Sequence, residues 1–262
     1  MDMEKNAEME KSERQDRPAI VMITCDELNR KTLGCYGGKA ITTPHIDSLA
    51  EEGTNYENCY TVSPWCLPSR CSILTGRYPH NSGAYSNFRK CALDTGIGNL
   101  FQSLRESGYR TSVFGKGHFA PGPYSETRAD RTLPYEEFKA YYESLGIDHL
   151  ELEDDKQVSV WFCDDYSKEL DQAGYLKAYR DAVWNPDYRK VFPFPGPADW
   201  HPDAWTGRKA VEEIGRLCEK VTDKAVHYLP HKDLNEFLQE RVRSGWMLSL
   251  SSRAFIAWLS AD

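Results

Sequence analysis

Apolar runs alternate along the chain with segments of helical spacing, and this alternation predicts an α/β fold. The segment 19–27, AIVMITCDE, is an unbroken apolar run that ends in two carboxylates. Unbroken apolarity predicts a central strand of a parallel sheet that is covered on both faces. Asp26 and Glu27 then follow the carboxyl end of that strand, where open α/β sheets place their ligands.

The next segments predict two helices and a second strand. In 42–53, TTPHIDSLAEEG, Thr43 suits the N-cap and Gly53 the stop of a helix. The segment 100–108 predicts another helix, and 109–118, YRTSVFGKGH, predicts a strand that ends in glycine, lysine and histidine. This order favours a doubly wound, mostly parallel sheet with flanking helices.

The second half of the chain mixes helices, loops and one more strand. Helical spacing occurs at 133–146, 203–220 and 233–242. We also expect an acidic surface stretch at 151–156, an ordered proline-rich loop at 191–205 and a buried strand at 253–262. No internal repeat is evident, so we expect a single α/β body.

Composition excludes several classes of partner. The chain has 262 residues and a net charge of −8, which makes nucleic acid a poor candidate. No apolar run approaches the ~20 residues of a membrane helix, so no membrane partner is expected. Residues 1–17 are charged throughout and lack the apolar core of a secretory signal. We therefore expect a disordered tail at 1–17 and a cytoplasmic location.

Eight cysteines could indicate disulfides, but a chain of this length without a signal favours reduced thiols. No two cysteines have the C-x-x-C spacing, which argues against a structural zinc site. Free, buried cysteine is the expectation for most of the eight.

One cysteine lies in a distinctive setting, in the segment 65–77, WCLPSRCSILTGR. Pro68 suits the first turn of a helix and Gly76 its end, which places Cys66 at the helix N-terminus. Unpaired N–H groups and the helix dipole favour an anion there, and Arg70 has planar donors that suit sulfate or phosphate. These residues alone leave two alternatives equally open: an anion-binding helix start with a reactive side chain, or a small buried cysteine beside a surface arginine.

The motif Cys66-Leu67-Pro68-Ser69-Arg70, followed by LTGR, resembles the signature of the type I sulfatases. The flanking text is also similar to that family. TPHIDSLAEEG resembles its TPNIDxLAxxG segment, and FGKGH resembles its GKWH, with Gly117 in place of the tryptophan. The likeness is dense from about Ala19 to Ala120 and thins beyond.

The resemblance implies an alkaline phosphatase-like α/β fold and a specific nucleophile. In the family a maturation enzyme oxidises the motif cysteine to formylglycine, so Cys66 would be modified by a formylglycine-generating partner. The hydrated aldehyde attacks the sulfur of a sulfate ester, and its second hydroxyl then allows sulfate to leave. The substrate would be a sulfated small molecule or glycan.

The resemblance also implies a metal site and three further catalytic side chains. Asp26, Glu27 and the modified residue 66 would hold Ca²⁺ or Mg²⁺, although the family's usual pair is Asp-Asp. Lys116 would bind the sulfate oxygens, and His118 would hydrogen-bond the hydrate or assist elimination. Arg70 would stabilise the formylglycine and the metal-bound oxyanion. Without the motif, the carboxylates would be an ordinary strand-end pair, and Lys116 and His118 solvated side chains of a turn.

Full-length sulfatases are considerably longer, and their C-terminal portion supplies further metal ligands. We therefore expect residues 18–262 to be the N-terminal part of a sulfatase catalytic domain. Two alternatives stay open at this point. One is a phosphonate or phosphate monoester hydrolase of the same superfamily, and the other is an inactive, truncated sulfatase-like chain.

Overall fold

The computed structural model describes residues 19–87, 91–119, 135–153, 164–183, 192–221 and 254–261. The predicted tail at 1–17 and the predicted helix at 233–242 lie outside the described residues. Helices alternate with strands along the described chain, which confirms the predicted α/β class.

Four strands form one sheet, in the order β1 (Ile20–Cys25), β4 (Ala254–Ala261), β2 (Tyr109–Gly115) and β3 (His149–Leu152). Strands β2 and β3 pair in parallel, whereas β4 is antiparallel to both of its neighbours. Consequently β1, β2 and β3 all run in the same direction. Their carboxyl ends therefore point to the same edge of the sheet.

The prediction that β1 is central and covered on both faces is wrong for the described residues. Among the described strands β1 lies at the edge of the sheet and pairs with β4 alone. Ile20, Val21 and Ile23 are each more than a third exposed. An apolar run indicates that a strand can be buried, but it does not predict which neighbouring elements will pack on each side of it.

Eight helices accompany this sheet within the described ranges. They are α1 (Pro44–Glu52), α2 (Cys66–Thr75), α3 (Pro79–Ser82), α4 (Leu100–Glu106), α5 (Tyr135–Ser144), α6 (Asp165–Gln172), α7 (Leu176–Val183) and α8 (Pro202–Val221). Short 3-10 turns occur at Arg30–Thr32, Gly34–Tyr36 and Ala198–Trp200.

Helix α1 begins and ends where the sequence predicts, but its N-cap works differently from the expected one. The Thr43 side chain makes no hydrogen bond to the helix backbone. Its hydroxyl instead accepts the Gly34 N–H at 2.9 Å and donates to Asp47 at 3.0 Å. The Asp47 carboxylate also accepts the Cys35 N–H at 2.7 Å. The start of α1 therefore holds the loop that follows β1.

Helix α2 carries the cysteine motif and ends in a left-handed glycine. Gly76 has φ +66, and its N–H closes the last turn on the Ser72 carbonyl at 2.8 Å. This conformation is readily available to glycine, which explains the stop. Leu67, Cys71 and Leu74 follow helical spacing and are all buried, so one face of α2 packs into the core.

The main core lies between α2, α4, α5 and the strands β2 and β3. Residues 111–115 of β2 are all buried. The core cluster consists of Leu67, Cys71, Leu74, Ala84, Leu93, Phe101, Val113, Phe119, Tyr142, Leu145, Ile147, Leu150 and Leu152. The motif helix is thus fixed against the sheet by apolar contacts on the side away from the cysteine.

The acidic stretch predicted at the surface is partly an element of the sheet. Glu151 and Leu152 belong to β3, and the Glu153 N–H donates to the Gly115 carbonyl at 3.3 Å. Glu153 is only 1% exposed. Parallel pairing with β2 draws this end of the stretch inward, and an argument from charge alone misses such a constraint. Residues 154–156 lie outside the described ranges.

A second apolar cluster joins α6, α7 and α8 under the proline-rich loop. Its buried members are Tyr166, Leu170, Leu176, Tyr179 and Trp205, with Phe194 and Trp200 of the loop packed against them. The Tyr166 hydroxyl donates to the Trp200 carbonyl at 2.9 Å. The described part of this loop is therefore ordered on the body, as predicted.

In the described part of the chain, no helix combines the length and apolarity that a membrane crossing requires.

Candidate active site

The site lies where the carboxyl ends of β1 and β2 meet. Asp26 directly follows β1, and Lys116 directly follows β2. The Lys116 ammonium donates to Asp26 Oδ2 at 2.6 Å, although the two residues are ninety positions apart in sequence. The Lys116 side chain is 2% exposed and that of Asp26 is 14% exposed, so the ion pair is largely buried.

Cys66 joins this pair from the first turn of α2. The Lys116 ammonium lies 3.4 Å from Cys66 Sγ, and Asp26 Oδ2 lies 3.9 Å from the same sulfur. Cys66 is only partly buried, which leaves its side chain accessible from solvent. Three side chains from two strand ends and one helix start therefore converge on one point.

Arg70 supports the cluster from the next turn of α2 and is 8% exposed. Its Nη1 donates to the Lys116 carbonyl at 2.6 Å, and its Nη2 lies 3.6 Å from Asp26 Oδ1. Arg70 thus contacts both the backbone that carries the lysine and the carboxylate that pairs with it. The alternative of a surface arginine beside a buried cysteine is wrong on both counts.

Two buried cationic side chains, Arg70 and Lys116, lie beside Asp26 in this cluster. Lys116 also approaches Cys66 Sγ at the N-terminus of α2, where the helix dipole favours an anion. An anion that entered this site would meet a favourable, poorly hydrated environment.

Glu27 and His118 follow these strand ends in an unusual backbone conformation. They have φ +57 and +50, and they are the two non-glycine residues with positive φ among the described residues. Such conformations are costly for ordinary side chains and concentrate at functional sites. His118 is 3% exposed, so the alternative of a solvated turn is wrong for it and for Lys116. Glu27 is exposed.

The thiols on either side of the cluster are held neutral. Burial, followed by the Asp203 carboxylate, raises the pKa of Cys25 to about 11. Burial raises the pKa of Cys71 to about 12, against a smaller opposing effect of the Arg70 charge. These two residues are therefore uncharged neighbours of Asp26 and Arg70 at neutral pH.

The donor set around Asp26 matches a hard cation in kind but not in number. Two carboxylates are adjacent in sequence, and oxygen donors suit Ca²⁺ or Mg²⁺, but Ca²⁺ takes six to eight of them. No group of three or more histidine, cysteine or acidic side chains within the described ranges is placed to share a metal. Both Asp26 oxygens, moreover, face cationic side chains. The described residues therefore form at most part of a metal site.

Two residues that the sequence analysis did not single out also shape the site. The Asn87 side chain accepts the Leu67 N–H at 3.0 Å and so caps the helix start that carries Cys66. Tyr142 of α5 packs directly over Gly117, between Lys116 and His118. No local pattern signals Asn87. The glycine that replaces an expected tryptophan at 117 does signal that another side chain fills that volume.

Comparisons with known proteins agree with the motif. The chain is 26% identical to an N-acetylglucosamine-6-O-sulfatase of Bacteroides thetaiotaomicron, a match that covers 90% of this chain and 32% of the relative. It is 39% identical to an N-acetylgalactosamine-6-O-sulfatase of the same organism, over 42% of this chain and 22% of the relative. It is 37% identical to human steryl-sulfatase, over 42% and 21% respectively. A crystal structure described as that of Ps i-CgsB matches with a TM-score of 0.43 at 20% identity, over 86% of this chain and 51% of that chain.

The chain spans a third or less of the length of these curated relatives. Residues 18–239 match the family model Sulfatase, which is well over half of the chain. The α/β fold of the alkaline phosphatase-like type is the fold of that family, and the described sheet with its flanking helices agrees with it. This match, together with the motif around Cys66 and the side chains that converge on it, shows that the protein belongs to the sulfatase family.

Proposed function

We propose that this chain is the nucleophile-bearing portion of a sulfatase that hydrolyses sulfate esters. The observation that carries the proposal is the 3.4 Å approach of the Lys116 ammonium to Cys66 Sγ, beside Asp26. A nucleophile position, a buried cation and a carboxylate meet there at a helix N-terminus. On this proposal residues 18–262 form the N-terminal part of the catalytic domain.

Lys116 and Arg70 bind the transferring group on this proposal. Donors that are already oriented stabilise the charge of a transition state without reorganising when the reaction occurs. Lys116 is buried and held by Asp26, so its ammonium is already directed at the position of the reacting atoms. Arg70 fixes the Lys116 backbone through a hydrogen bond of 2.6 Å and adds a second positive charge.

On this proposal the Cys66 thiol is the precursor of the nucleophile. Formylglycine supplies a hydrated aldehyde, one hydroxyl of which accepts the sulfuryl group while the other allows sulfate to be released. An unmodified thiolate would form a thiosulfate ester, which has no second hydroxyl through which sulfate could be expelled. On this proposal a formylglycine-generating enzyme oxidises Cys66, which is partly exposed in the folded chain.

The remaining assignments concern His118, Glu27 and a divalent cation. His118 lies two residues beyond Lys116 and is assigned to proton transfer at the leaving oxygen or at the hydrate. Asp26, Glu27 and the modified residue 66 are assigned to Ca²⁺ or Mg²⁺, together with ligands from outside the described residues. A bound cation would supply Lewis-acid stabilisation of the sulfate oxygens.

The substrate on this proposal is a sulfated small molecule or a sulfated glycan. Two of the relatives are named for N-acetylhexosamine 6-O-sulfates and a third for a steryl sulfate. The shared chemistry is the sulfate ester, and that ester is what the cluster around Cys66 is suited to bind.

The first test is maturation. Co-expression with a formylglycine-generating enzyme should convert the Cys66 peptide to a form about 18 Da lighter, because an aldehyde replaces the thiol. Cys59 lies seven residues upstream, is exposed and should keep its thiol, which makes it an internal control. A peptide that contains only thiol at Cys66 after maturation would contradict the proposal.

The second test is turnover by the matured chain with Ca²⁺ or Mg²⁺ supplied. Hydrolysis of an aryl sulfate, lost in Cys66→Ser, is the expected result. Preference for an aryl phosphonate or phosphate would assign the chain to the alternative ester class of the superfamily. Absence of turnover on all three esters, despite confirmed maturation, would favour the inactive alternative.

A further inference from the structure

A glycine lies between the two site residues that follow β2. A Cβ placed on Gly117 would lie 2.3 Å from Cε1 and 3.1 Å from Cδ1 of Tyr142. Carbon atoms that are not bonded to each other pack at about 3.5–4.0 Å, so no side chain fits at 117 while that ring is present. The Tyr142 ring thus occupies the volume into which the first atoms of a side chain at 117 would extend.

The Tyr142 ring is held firmly in this place. Its side chain is fully buried in the main core. The rings of Phe119 and Tyr141 lie 5.7 and 5.9 Å from it, and the Tyr142 hydroxyl accepts the Phe119 N–H at 3.3 Å. The ring therefore cannot move aside for a substituent at Gly117 without disturbing several buried contacts.

These contacts lie on both sides of the strained residue. The Tyr142 ring touches the backbone one residue before His118, and its hydroxyl binds the backbone one residue after it. A φ of +50 persists in an ordinary residue when its surroundings over-determine the conformation. The segment 116–119 is consequently fixed from α5 as well as from the sheet.

We propose that Tyr142 is a positioning residue that sets the placement of Lys116 and His118, and that it does so in partnership with Gly117. The proposal rests on the proposed function for the roles of those two residues. The contacts of Tyr142 with Gly117 and Phe119 lie on the segment 116–119, so it acts on Lys116 and His118 through that segment. The pair also explains why glycine stands at 117, where the similar GKWH segment of the family has tryptophan.

The steric partnership makes a specific prediction for a double-mutant cycle. Gly117→Ala should displace Lys116, because the new methyl group meets the Tyr142 ring. In a Tyr142→Ala background the ring is absent, so the same Gly117→Ala change should have almost no further effect. Contacting residues typically show such non-additivity, whereas independent residues do not.

The readout is the alkylation rate of Cys66 relative to Cys59 in the unmodified 262-residue chain, measured by peptide mass spectrometry. Lys116 lies 3.4 Å from Cys66 Sγ, so displacement of its ammonium changes the surroundings of that sulfur. The ratio should change by about threefold or more in Gly117→Ala and in Tyr142→Ala. Adding Gly117→Ala to Tyr142→Ala should change it by less than about 1.5-fold.

A second readout tests the hydroxyl and does not depend on a clash. Tyr142→Phe keeps the ring and removes the acceptor of the Phe119 N–H, so amide hydrogen exchange at Phe119 should accelerate by about threefold or more. The matched control is Tyr166→Phe, since Tyr166 is equally buried and its hydroxyl donates to the Trp200 carbonyl in the other cluster. That variant should leave exchange at Phe119 and the Cys66 ratio unchanged.

Two results would overturn the positioning role. One is an equal effect of Gly117→Ala with and without the Tyr142 ring. The other is a Tyr142→Phe protein whose Phe119 exchange matches that of wild type. Both measurements use the thiol form and need no turnover, so an inactive matured chain would refute the proposed function without touching this inference.

Discussion

Lys116 Nζ and Asp26 Oδ2 lie 2.6 Å apart, and this contact joins the ends of β2 and β1 at the candidate site. Lys177 and Asp181, one turn apart on α7, make an ion pair of the same length. The two pairs differ in burial: the site lysine is 2% exposed, whereas Lys177 is 88% exposed. Water and salt screen the second pair but hardly reach the first.

The first prediction compares these pairs. Asp26→Asn removes a carboxylate that pairs with two buried cations, Lys116 and Arg70, which should lower the free energy of unfolding by about 2–4 kcal/mol. Asp181→Asn removes the exposed partner of Lys177 and should cost less than about 0.5 kcal/mol. Urea unfolding of both variants measures the difference. Equal effects of the two substitutions would mean that the site pair is not buried in solution.

The second prediction concerns the geometry of Arg70. Arg70→Lys keeps the charge but cannot both donate to the Lys116 carbonyl and reach Asp26, because lysine lacks the planar fork of donors. We expect a stability loss of about 1–3 kcal/mol, since a buried carbonyl loses its donor. Turnover of an aryl sulfate by the matured chain should fall by about 100-fold.

Arg105→Lys is the matched control for that substitution. Arg105 is 56% exposed and pairs with Asp148 at 3.3 Å. A surface change of this kind should alter stability by less than about 0.5 kcal/mol and leave turnover unchanged. A wild-type rate in Arg70→Lys would show that only the charge at position 70 matters, and the role given to its fork would be wrong.

The sequence predicts where the helices and strands begin and end better than it predicts which elements pack beside each other. Caps, glycines and periodicity are local signals, so the start of α1, the end of α2 at Gly76 and the strand before Lys116 are confirmed. The edge position of β1 and the burial of Glu153 depend on which distant strands pair, and no local pattern carries that information.

The candidate site likewise has a part that the sequence predicts and a part that it does not. Asp26 and Lys116 are predictable as strand-end residues, and parallel strands bring such ends to one edge of a sheet. The contact of Arg70 with the Lys116 carbonyl is not predictable, because it depends on how α2 packs against β2. The neighbour of Gly117 is not predictable either. The absence of the family's tryptophan indicates that another side chain lies there, but only the packing of α5 identifies it as Tyr142.

The third prediction concerns thiol reactivity. Burial raises the pKa of Cys71 to about 12, so fewer than about one in a thousand of these thiols is ionised near pH 8. Cys25, with its pKa raised to about 11 by burial and by Asp203, should also react slowly. Exposed Cys59 should react with iodoacetamide before both Cys71 and Cys25. Peptide mass spectrometry over time gives the order, and denaturant should abolish it; native labelling of Cys71 at the Cys59 rate would contradict the burial of α2.

The fourth prediction follows from the ion pair between Glu169 of α6 and Lys209 of α8. Burial tends to raise the pKa of Glu169, but hydrogen bonds from Lys209 and from the Trp205 indole, the latter at 2.9 Å, outweigh it and lower that pKa below its ordinary 4.5. Burial tends to lower the pKa of Lys209, yet the two carboxylates Glu169 and Glu151 raise it above its ordinary 10.5. Both shifts favour the charged forms in the folded protein.

The sign of the pH dependence follows from those directions. A depressed carboxyl pKa contributes stability above the unfolded value of 4.5 and loses it as the pH falls through the folded value. A raised lysine pKa contributes stability below 10.5 and loses it as the pH rises through the folded value. The stability difference between wild type and Glu169→Gln should therefore be flat between these limits and shrink on either side.

Urea unfolding at a series of pH values measures this difference directly. Lys177→Ala is the control, because an exposed pair on α7 should give a small difference at every pH. The Trp205 indole still finds an acceptor in Glu169→Gln, so the comparison isolates the charge rather than the hydrogen bond. A difference that instead rises as the pH falls towards 4.5, and stays flat below 4.5, would mean that the Glu169 pKa is raised, and hence that α6 and α8 are held together by apolar contacts against an unfavourable buried charge.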